Sequence, residues 1–397
     1  MGVEQAFSGL RILDFTQVLA GPFATQQLAQ LGADVIKIEA RDAGDMTRGL
    51  MSSRSDGMAP SFLTCNLGKR SLTLDLKAPD AKDIIFKLVQ TSDAVVENFK
   101  PGTIERLGFG YATLRNIKPD LVYASISGYG QSGPKSALPA FDGAIQAASG
   151  MMSLSGHAET GPVRTGYFAV DMSTALNAAF ALSAALLRRH RTGEGQRLDI
   201  AMMDTAFLMQ APQISNYLIN GVIPDRIGNA SPTQQPTANV FATDDGFIQV
   251  VGLKENHVRT VMQLLGHADL YDAYPEPELR VAAREAFFAV MRPAFARHST
   301  AHWLDALAAA GVPAAPIADL ASATADAQVG HRLSLTQIAH PTEDRNVSVV
   351  SAGHMSEPAP PVVQRPPPTL GEHTDEILTE LGYSAAEIRV FKDTAVV

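Results

Sequence analysis

LRILDFTQVLAGPFATQQLAQLGADVIKIE, residues Leu10 to Glu39, is the stretch whose reading decides the fold. An apolar run, LRILDF, leads into a helix-like segment from Phe23 to Leu31 that stops at Gly32, and a second apolar run, ADVIKIE, follows. Strand, helix and strand at this spacing make a βαβ unit, which calls for parallel strands and a right-handed crossover. The pattern continues downstream. Pro79 opens a helix through Val89 with Asp80 and Asp83 near its start and Lys87 near its end, the charge order a helix dipole favours. Asp93 to Phe99 reads as a strand, Thr103 to Leu107 and Ala112 to Ile117 as short helices, and Leu121 to Ser127 as a further strand. The first half is therefore α/β around a mostly parallel sheet.

A long helix from about Met172 to His190 ends in RRHRTGEGQ, basic residues followed by glycines, which is a stop signal. Arg197 to Ala201 is the next strand. Past Asn220 the texture changes to the turn-rich GNASPTQQPTANV, then to VFATDDGFIQVVG, two apolar runs around Asp244-Asp245-Gly246 that suggest a hairpin. A boundary falls near residue 225, and 225–325, with Ser299 leading HWLDALAAAG, reads as a smaller α+β domain. The proline run EPAPPVVQRPPP is extended rather than helical. The tail holds two short helices, the second opened by a capping box from Ser384 to Glu387. No internal repeat is visible.

Composition limits the function. The chain has 397 residues, 46% of them hydrophobic and 18% charged, with 32 Lys+Arg against 41 Asp+Glu and a net charge of −9. That rules out disorder and argues against nucleic acid or an anionic membrane as partner, since both demand a basic surface. An anionic ligand would need a locally basic site. Cys65 is the only cysteine, so there is no disulfide, and a reducing, cytoplasmic setting is expected. MGVEQAFSGL shows no signal peptide, and Gly2 lacks the Ser or Thr of a myristoylation site because Ala6 stands there. The most apolar helical stretch, Ala175 to Leu187, includes Asn177 and Ser183 and is shorter than the ~20 residues of a membrane span, so it reads as a core helix.

Gly128-Tyr129-Gly130-Gln131-Ser132-Gly133 fits G-x-G-x-x-G after a strand and raises a nicotinamide oxidoreductase as one reading. Pro134, Lys135 and Pro139 interrupt the helix that such a fingerprint must open, and no acid lies at the required offset of ~20 residues. The glycines fit better as a loop in close approach to a ligand or backbone. No G-x-S-x-G elbow occurs, and no metal site is expected: His298 and His302 flank a helix start at Ser299 and would not share a face. Asp171 stands where an irregular segment enters a strongly apolar helix. It is either a helix N-cap, with Ser173 competing, or a desolvated nucleophile. Lys37 and Arg41, Lys69 and Arg70, and Lys100 and Arg106 form short basic clusters that together could make an anion site.

Taken together, the motifs resemble the class III CoA-transferase family, which includes formyl-CoA and carnitine CoA-transferases and related acyl-CoA racemases. The resemblance is carried in order by Leu10 to Glu39, GDMTRG, NLGKRSLTLDLK, DAVVENFKPGTIERLGFGY, ASISGYGQSGP, FDGAIQAASGMMSLSG, GYFAVDMSTALNAAFALSAAL, RRHRTGEGQRLDIAMMD and LGEHTDEIL. It implies a large Rossmann-like, CoA-binding domain from residues 1–200 and 340–397, a small domain from 225–325, and linkers at 201–224 and 326–339. It also implies a homodimer of two interlocked subunits. Asp171 falls on the family's nucleophile, which attacks the donor thioester to give an acyl–aspartyl anhydride and then an aspartyl-CoA thioester.

The same resemblance assigns Gly128, Gly130 and Gly133 to a loop near the reacting centre, with backbone N–H groups near Asp171 as oxyanion donors. It points to Arg41, Lys69, Arg70, Asn98, Phe99 and Arg106 for CoA. No cofactor is tightly held; CoA and acyl-CoA are substrates. In the racemase branch a His-Asp pair stands where this chain has Phe141-Asp142, and Phe141 cannot carry a proton, so an acyl-CoA racemase or isomerase is disfavoured. The formyl/oxalate branch has a glycine-rich loop and a glutamine at the position of Leu19, both missing here. The remaining expectation is a transferase from succinyl-CoA to a small dicarboxylate or analogue, such as itaconate, glutarate, mesaconate, citramalate or 3-sulfinopropionate. Gln17, Arg48, Lys135, Phe141, Asp142 and Arg164 are the candidate substrate contacts, with Arg48, Lys135 and Arg164 as possible clamps for a distal anionic group.

Overall fold

The structure, a computed structural model, describes residues 4–50 and 56–397. Gly2, considered above for acylation, lies outside them. The chain divides into two compact units, one of Met1–Met151, Thr165–Asn220 and Ala327–Val397, the other of Met152–Arg164 and Gly221–Asp326.

The first unit is built on the predicted βαβ succession. In chain order it runs β1 (Arg11–Asp14), α1 (Ala20–Gln30), β2 (Asp34–Glu39), α2 (Pro60–Cys65), β3 (Arg70–Thr73), α3 (Pro79–Gln90) and β4 (Ala94–Glu97). It continues with α4 (Thr103–Leu107), α5 (Tyr111–Ile117), β5 (Val122–Ser127), α6 (Asp142–Ala148), α7 (Met151–Leu154), α8 (Ala169–Thr192), β6 (Gln196–Ala201), α9 (Met202–Met209) and α10 (Ala211–Asn220), α7 straddling the boundary between the units. The strands form a six-stranded sheet in the order β3-β2-β1-β4-β5-β6, every neighbouring pair parallel. This is the doubly wound order, in which the chain reverses direction of growth between β1 and β4. Such a sheet buries both faces, which is why the central strands read as continuous apolar runs rather than alternating ones.

Each face has its own core. On one, Ile12, Val35, Val96 and Ala124 pack with Ala24 and Leu28 of α1 and Ala178 and Leu182 of α8. On the other, Leu13, Ile36, Val95 and Tyr123 pack with Ile84 and Leu88 of α3 and with Ile377, Leu378 and Ile388 near the C-terminus. A fully buried aliphatic side chain contributes roughly 1.5–3 kcal/mol, so this second layer fastens the chain's end to its beginning. The tail helices are Thr374–Glu380 and Ala385–Asp393, and the predicted capping box between Ser384 and Glu387 is formed.

The second unit holds a three-stranded antiparallel sheet, β7 (Val240–Ala242), β8 (Phe247–Val250) and β9 (Ala314–Pro316) in the order β7-β8-β9. Helices between Glu255 and Ala309 cover it around Phe241, Phe287, Phe295 and Trp303. The hairpin turn is the Asp244-Asp245-Gly246 segment, as read from the sequence.

Several expectations are corrected. Helix α8 begins at Ala169, before Met172, and reaches Thr192. Residues placed in a linker after 200 form α9 and α10, and the second linker contains Leu335–Ala339, a strand paired antiparallel with Asn346–Val350. His298 and His302 do approach, their rings stacked with centroids 4.2 Å apart. At 24 residues α8 is longer than the apolar stretch Ala175 to Leu187 suggested, and by length and composition alone it could cross a membrane. Ten of its residues are nevertheless buried within the first unit, while Leu176, Phe180 and Leu187 are exposed.

Candidate active site

In an open parallel sheet, ligands bind beyond the carboxyl ends of the strands, at the point where strand order reverses. The chain leaves β1 through Phe15 to Leu19 and leaves β4 through Asn98 to Pro101, and these two segments are clamped together. Gln17 N–H donates to Asn98 Oδ1 at 2.8 Å, and Asn98 Nδ2 donates to Gln17 O at 2.7 Å. A cavity of about 370 Å³ opens there, its wall including Gln17, Asn98, Phe99, Lys100, Ser127, Gly128, Phe141 and Asp171. Val18, also in the wall, has φ 70°, a left-handed conformation that a β-branched residue rarely adopts and that costs on the order of 1–3 kcal/mol.

Asp171 is the third residue of α8 and only 9% exposed. It is not the N-cap; Phe168 holds that place, and the hydroxyl of Ser173 instead donates to Ala169 O at 2.6 Å. The Asp171 carboxylate makes no hydrogen bond among the described residues. Burial, with the like charge of Asp142 adding to it, pushes its pKa up to about 7. Asp142 itself does not line the cavity. Its Oδ2 accepts from the backbone N–H of Val170 at 2.8 Å and of Asp171 at 3.1 Å, and its Oδ1 accepts from Gln146 Nε2 at 2.6 Å. Met172 N–H is bonded within the helix start, to Phe168 O. The N–H groups expected as oxyanion donors at Asp171 are thus already taken.

Of the glycine loop, only Gly128 reaches the cavity. A Cβ there would lie 2.2 Å from the Cβ of Ala140, so no larger residue fits without moving the wall. Gly130 and Gly133 are turn positions with φ 88° and 92°, set away from the cavity, and the adjacent Gln131 N–H is bonded to the Asp199 carboxylate.

The expected CoA cations are placed differently from the sequence reading. Lys69 is fully buried, its ammonium donating to Asp14 Oδ2 at 2.8 Å, Pro22 O at 2.8 Å and Asn66 Oδ1 at 2.9 Å. Burial pushes Asp14 up, but the charges of Lys69 and Lys37 outweigh it and hold its carboxyl below the usual range. Arg70 bridges Asp34 at 2.6 Å, Glu376 at 2.8 Å and Glu380 at 2.6 Å. Arg48 pairs with Glu39 at 2.7 Å beneath the ring of Phe62 and is no substrate clamp. The physical reason is common to all three: a cation taken out of water needs fixed counter-charge, and these have it inside the fold. Arg41 borders a separate depression with Thr73 and Lys392, Arg106 is exposed and bonded to Thr103, and Lys135 lies over Tyr129 outside the wall. Arg164 belongs to the second unit.

Among the described residues Lys100 is the one cation in the cavity wall. Ser127, Met46, Leu138 and Met202 also line that wall and were not singled out from sequence. Ser127 ends β5, and its hydroxyl makes no hydrogen bond among the described residues. Its one sequence signal is its place at the carboxyl end of a parallel strand. Asn98 and Phe99 reach the site, though the Asn98 amide is spent on Gln17.

A desolvated carboxylate with no hydrogen bond among the described residues, at the mouth of a parallel sheet, is equipped to attack an electrophilic acyl carbon. Residues 7–374 match the family model described as CoA-transferase family III, and the chain belongs to that family. It is a CoA-transferase of class III. Among its relatives are the succinyl-CoA:glutarate CoA-transferase of Mus musculus, 35% identical over 94% of this chain and 86% of that one, and the succinyl-CoA:mesaconate CoA-transferase of Haloarcula hispanica, 36% identical over 98% and 99%. A CAIB/BAIF family protein from Brucella suis has a solved structure that matches with TM-score 0.86 and 33% identity over 96% of this chain and 100% of that one.

Proposed function

We propose that this protein moves CoA from succinyl-CoA to a small dicarboxylic acid, with Asp171 as the covalent relay. The observation that carries the proposal is the unpartnered Asp171 carboxylate facing the switch-point cavity. The relatives' substrates, glutarate and mesaconate, support a dicarboxylate acceptor. Asp171 attacks the thioester carbonyl; the C–S bond breaks, CoA thiolate leaves, and an aspartyl–succinyl anhydride remains. The thiolate attacks the aspartyl carbonyl, the anhydride C–O bond breaks, and succinate departs, leaving aspartyl-CoA thioester. The acceptor carboxylate attacks that thioester and expels the thiolate, which then attacks the acceptor's acyl carbon and restores Asp171. Each intermediate keeps the activation of the original thioester, provided water stays out.

With Arg48 buried in an ion pair, Lys100 is the group on the cavity wall that can meet an anionic end of the ligand. Racemisation is disfavoured because Phe141, which lies in the wall, carries no proton. The protein acts as a homodimer in this reading. In support, α8 exposes Leu176, Phe180 and Leu187, α9 exposes Phe207 and Leu208, and α10 exposes Tyr217, Leu218 and Ile219 with no residue buried. Apolar helix faces on this scale mark an interface.

The test is mass spectrometry of the protein after succinyl-CoA, with hydroxylamine trapping. Modification confined to the Asp171 peptide and absent in Asp171→Ala is expected, followed by a screen in which glutarate, mesaconate, itaconate or citramalate accepts CoA. Full activity in Asp171→Ala would sink the mechanism, and acceptance by monocarboxylates alone would sink the dicarboxylate assignment.

A further inference from the structure

A helix start leaves its first N–H groups without intrahelical partners, and an acidic side chain in the first turn is well placed to fold back and accept from them. In α8 that acidic residue is Asp171, and the N-cap, Phe168, has no side-chain acceptor to offer. Left to local physics, the Asp171 carboxylate would cap its own helix. A carboxylate that accepts backbone N–H bonds has a lowered pKa and its lone pairs engaged, both unhelpful in a nucleophile.

We propose that Asp142 is the positioning residue for the nucleophile: by taking the free N–H donors of α8 from outside, it denies them to Asp171 and leaves that carboxylate aimed into the cavity. Asp142 Oδ2 holds Val170 N–H and Asp171 N–H at 2.8 and 3.1 Å, while Ala169 N–H goes to Tyr167 O and Met172 N–H to Phe168 O. None is left over. Asp142 is itself fixed. Gln146 Nε2 donates to Asp142 Oδ1 at 2.6 Å and to Thr165 Oγ1 at 2.8 Å, Gln146 Oε1 accepts from Thr165 N–H, and Thr165 Oγ1 donates to Tyr167 O at 2.8 Å. Helix α6 and the segment leading into α8 are thereby one polar network, which makes the direction of Asp171 a property of two elements.

The titratable surroundings of Asp171 fit this role. Asp142 faces it from α6, and the Cys65 thiol of α2, pushed up to about 12 by burial, is neutral. Helix α1 has no charged residue, Asp204 of α9 is exposed, and Lys100 stands on the same cavity wall. The inference rests on Asp171 being the nucleophile, and its test separates the two claims.

Three readouts are compared in the intact protein, Asp142→Ala and Asp142→Asn: amide exchange at Val170 and Asp171, infrared titration of the Asp171 carboxyl referenced to Asp171→Asn, and kcat and KM for succinyl-CoA. In Asp142→Ala we expect the two amides to lose protection, Asp171 to titrate about one unit lower or more, and kcat to fall about tenfold or more with KM within about threefold. Asp142→Asn keeps an acceptor oxygen and should retain the amide protection and recover most of kcat above pH 7. Unchanged amides and an unchanged titration in Asp142→Ala would overturn the proposal. So would an Asp142→Asn variant no better than Asp142→Ala, or a loss carried wholly by KM. If Asp142→Ala does not fold, Asp142→Asn decides: kept protection and kcat support the role, and a collapse of both despite folding overturns it. Exchange and titration need no acyl-CoA, so a wild-type protein that formed no adduct on Asp171 would overturn the transferase mechanism while these readouts still judged the positioning.

Discussion

Asp171 carries a stability cost that its chemistry explains. Its folded pKa of about 7 lies above the ordinary 3.8, so the folded state prefers the neutral carboxyl. The contribution to stability is full below the unfolded pKa and is lost as pH rises from about 4 through about 7. Asp171→Asn should therefore raise Tm at pH 8, leave it unchanged near pH 4, and abolish transfer; an equal Tm shift at both pH values would contradict the assignment. Activity should run the other way, rising with pH through about 7 as the nucleophile ionises. At this scale the sequence marked Asp171 as one of two things, cap or nucleophile, because a lone acid before an apolar helix suits both. It marked Lys69 and Arg70 as ligand cations because charge is visible in sequence and its partner is not.

Helix α8 has two faces with different obligations. Leu182 is fully buried against the sheet and α1, so Leu182→Ala should destabilise the protein by about 2–5 kcal/mol in urea unfolding, through lost burial and a residual cavity. Phe180, 74% exposed on the same helix, should cost little in the isolated subunit. Equal losses at the two positions, measured at a concentration where the protein is monomeric, would refute this division. The helix itself was legible from its apolar run and its basic, glycine-terminated end. Its true start was not, because the group that caps it sits in α6, 28 residues before Val170. Helices α9 and α10 were missed as elements; Met202, Thr205 and Ala206 of α9 are buried, whereas no residue of α10 is.

Across the whole molecule, the C-terminal helices are held to the sheet by apolar packing and by Arg70. Its removal should unfasten the tail: Arg70→Ala is expected to lose about 1–3 kcal/mol, discounted for the partial exposure of Glu376 and Glu380, with KM for acyl-CoA changed less than about twofold. A large rise in KM at unchanged stability would return Arg70 to the ligand site. Oligomeric state is tested at the exposed helix face. Phe180→Asp with Leu218→Asp should convert a dimer to monomer by light scattering, and a wild-type monomer at micromolar concentration would refute the dimer. The sequence by itself determined the α/β class, the opening βαβ unit and the position of Asp171, because periodicity, turn residues and helix-end signals act over a few neighbours. Which charges serve a ligand and which serve the fold was decided only by the tertiary structure. Lys69 meets Asp14 across 55 residues and Arg70 meets Glu380 across 310, and a pairing that distant leaves no mark in the local pattern while it settles whether a cation is free.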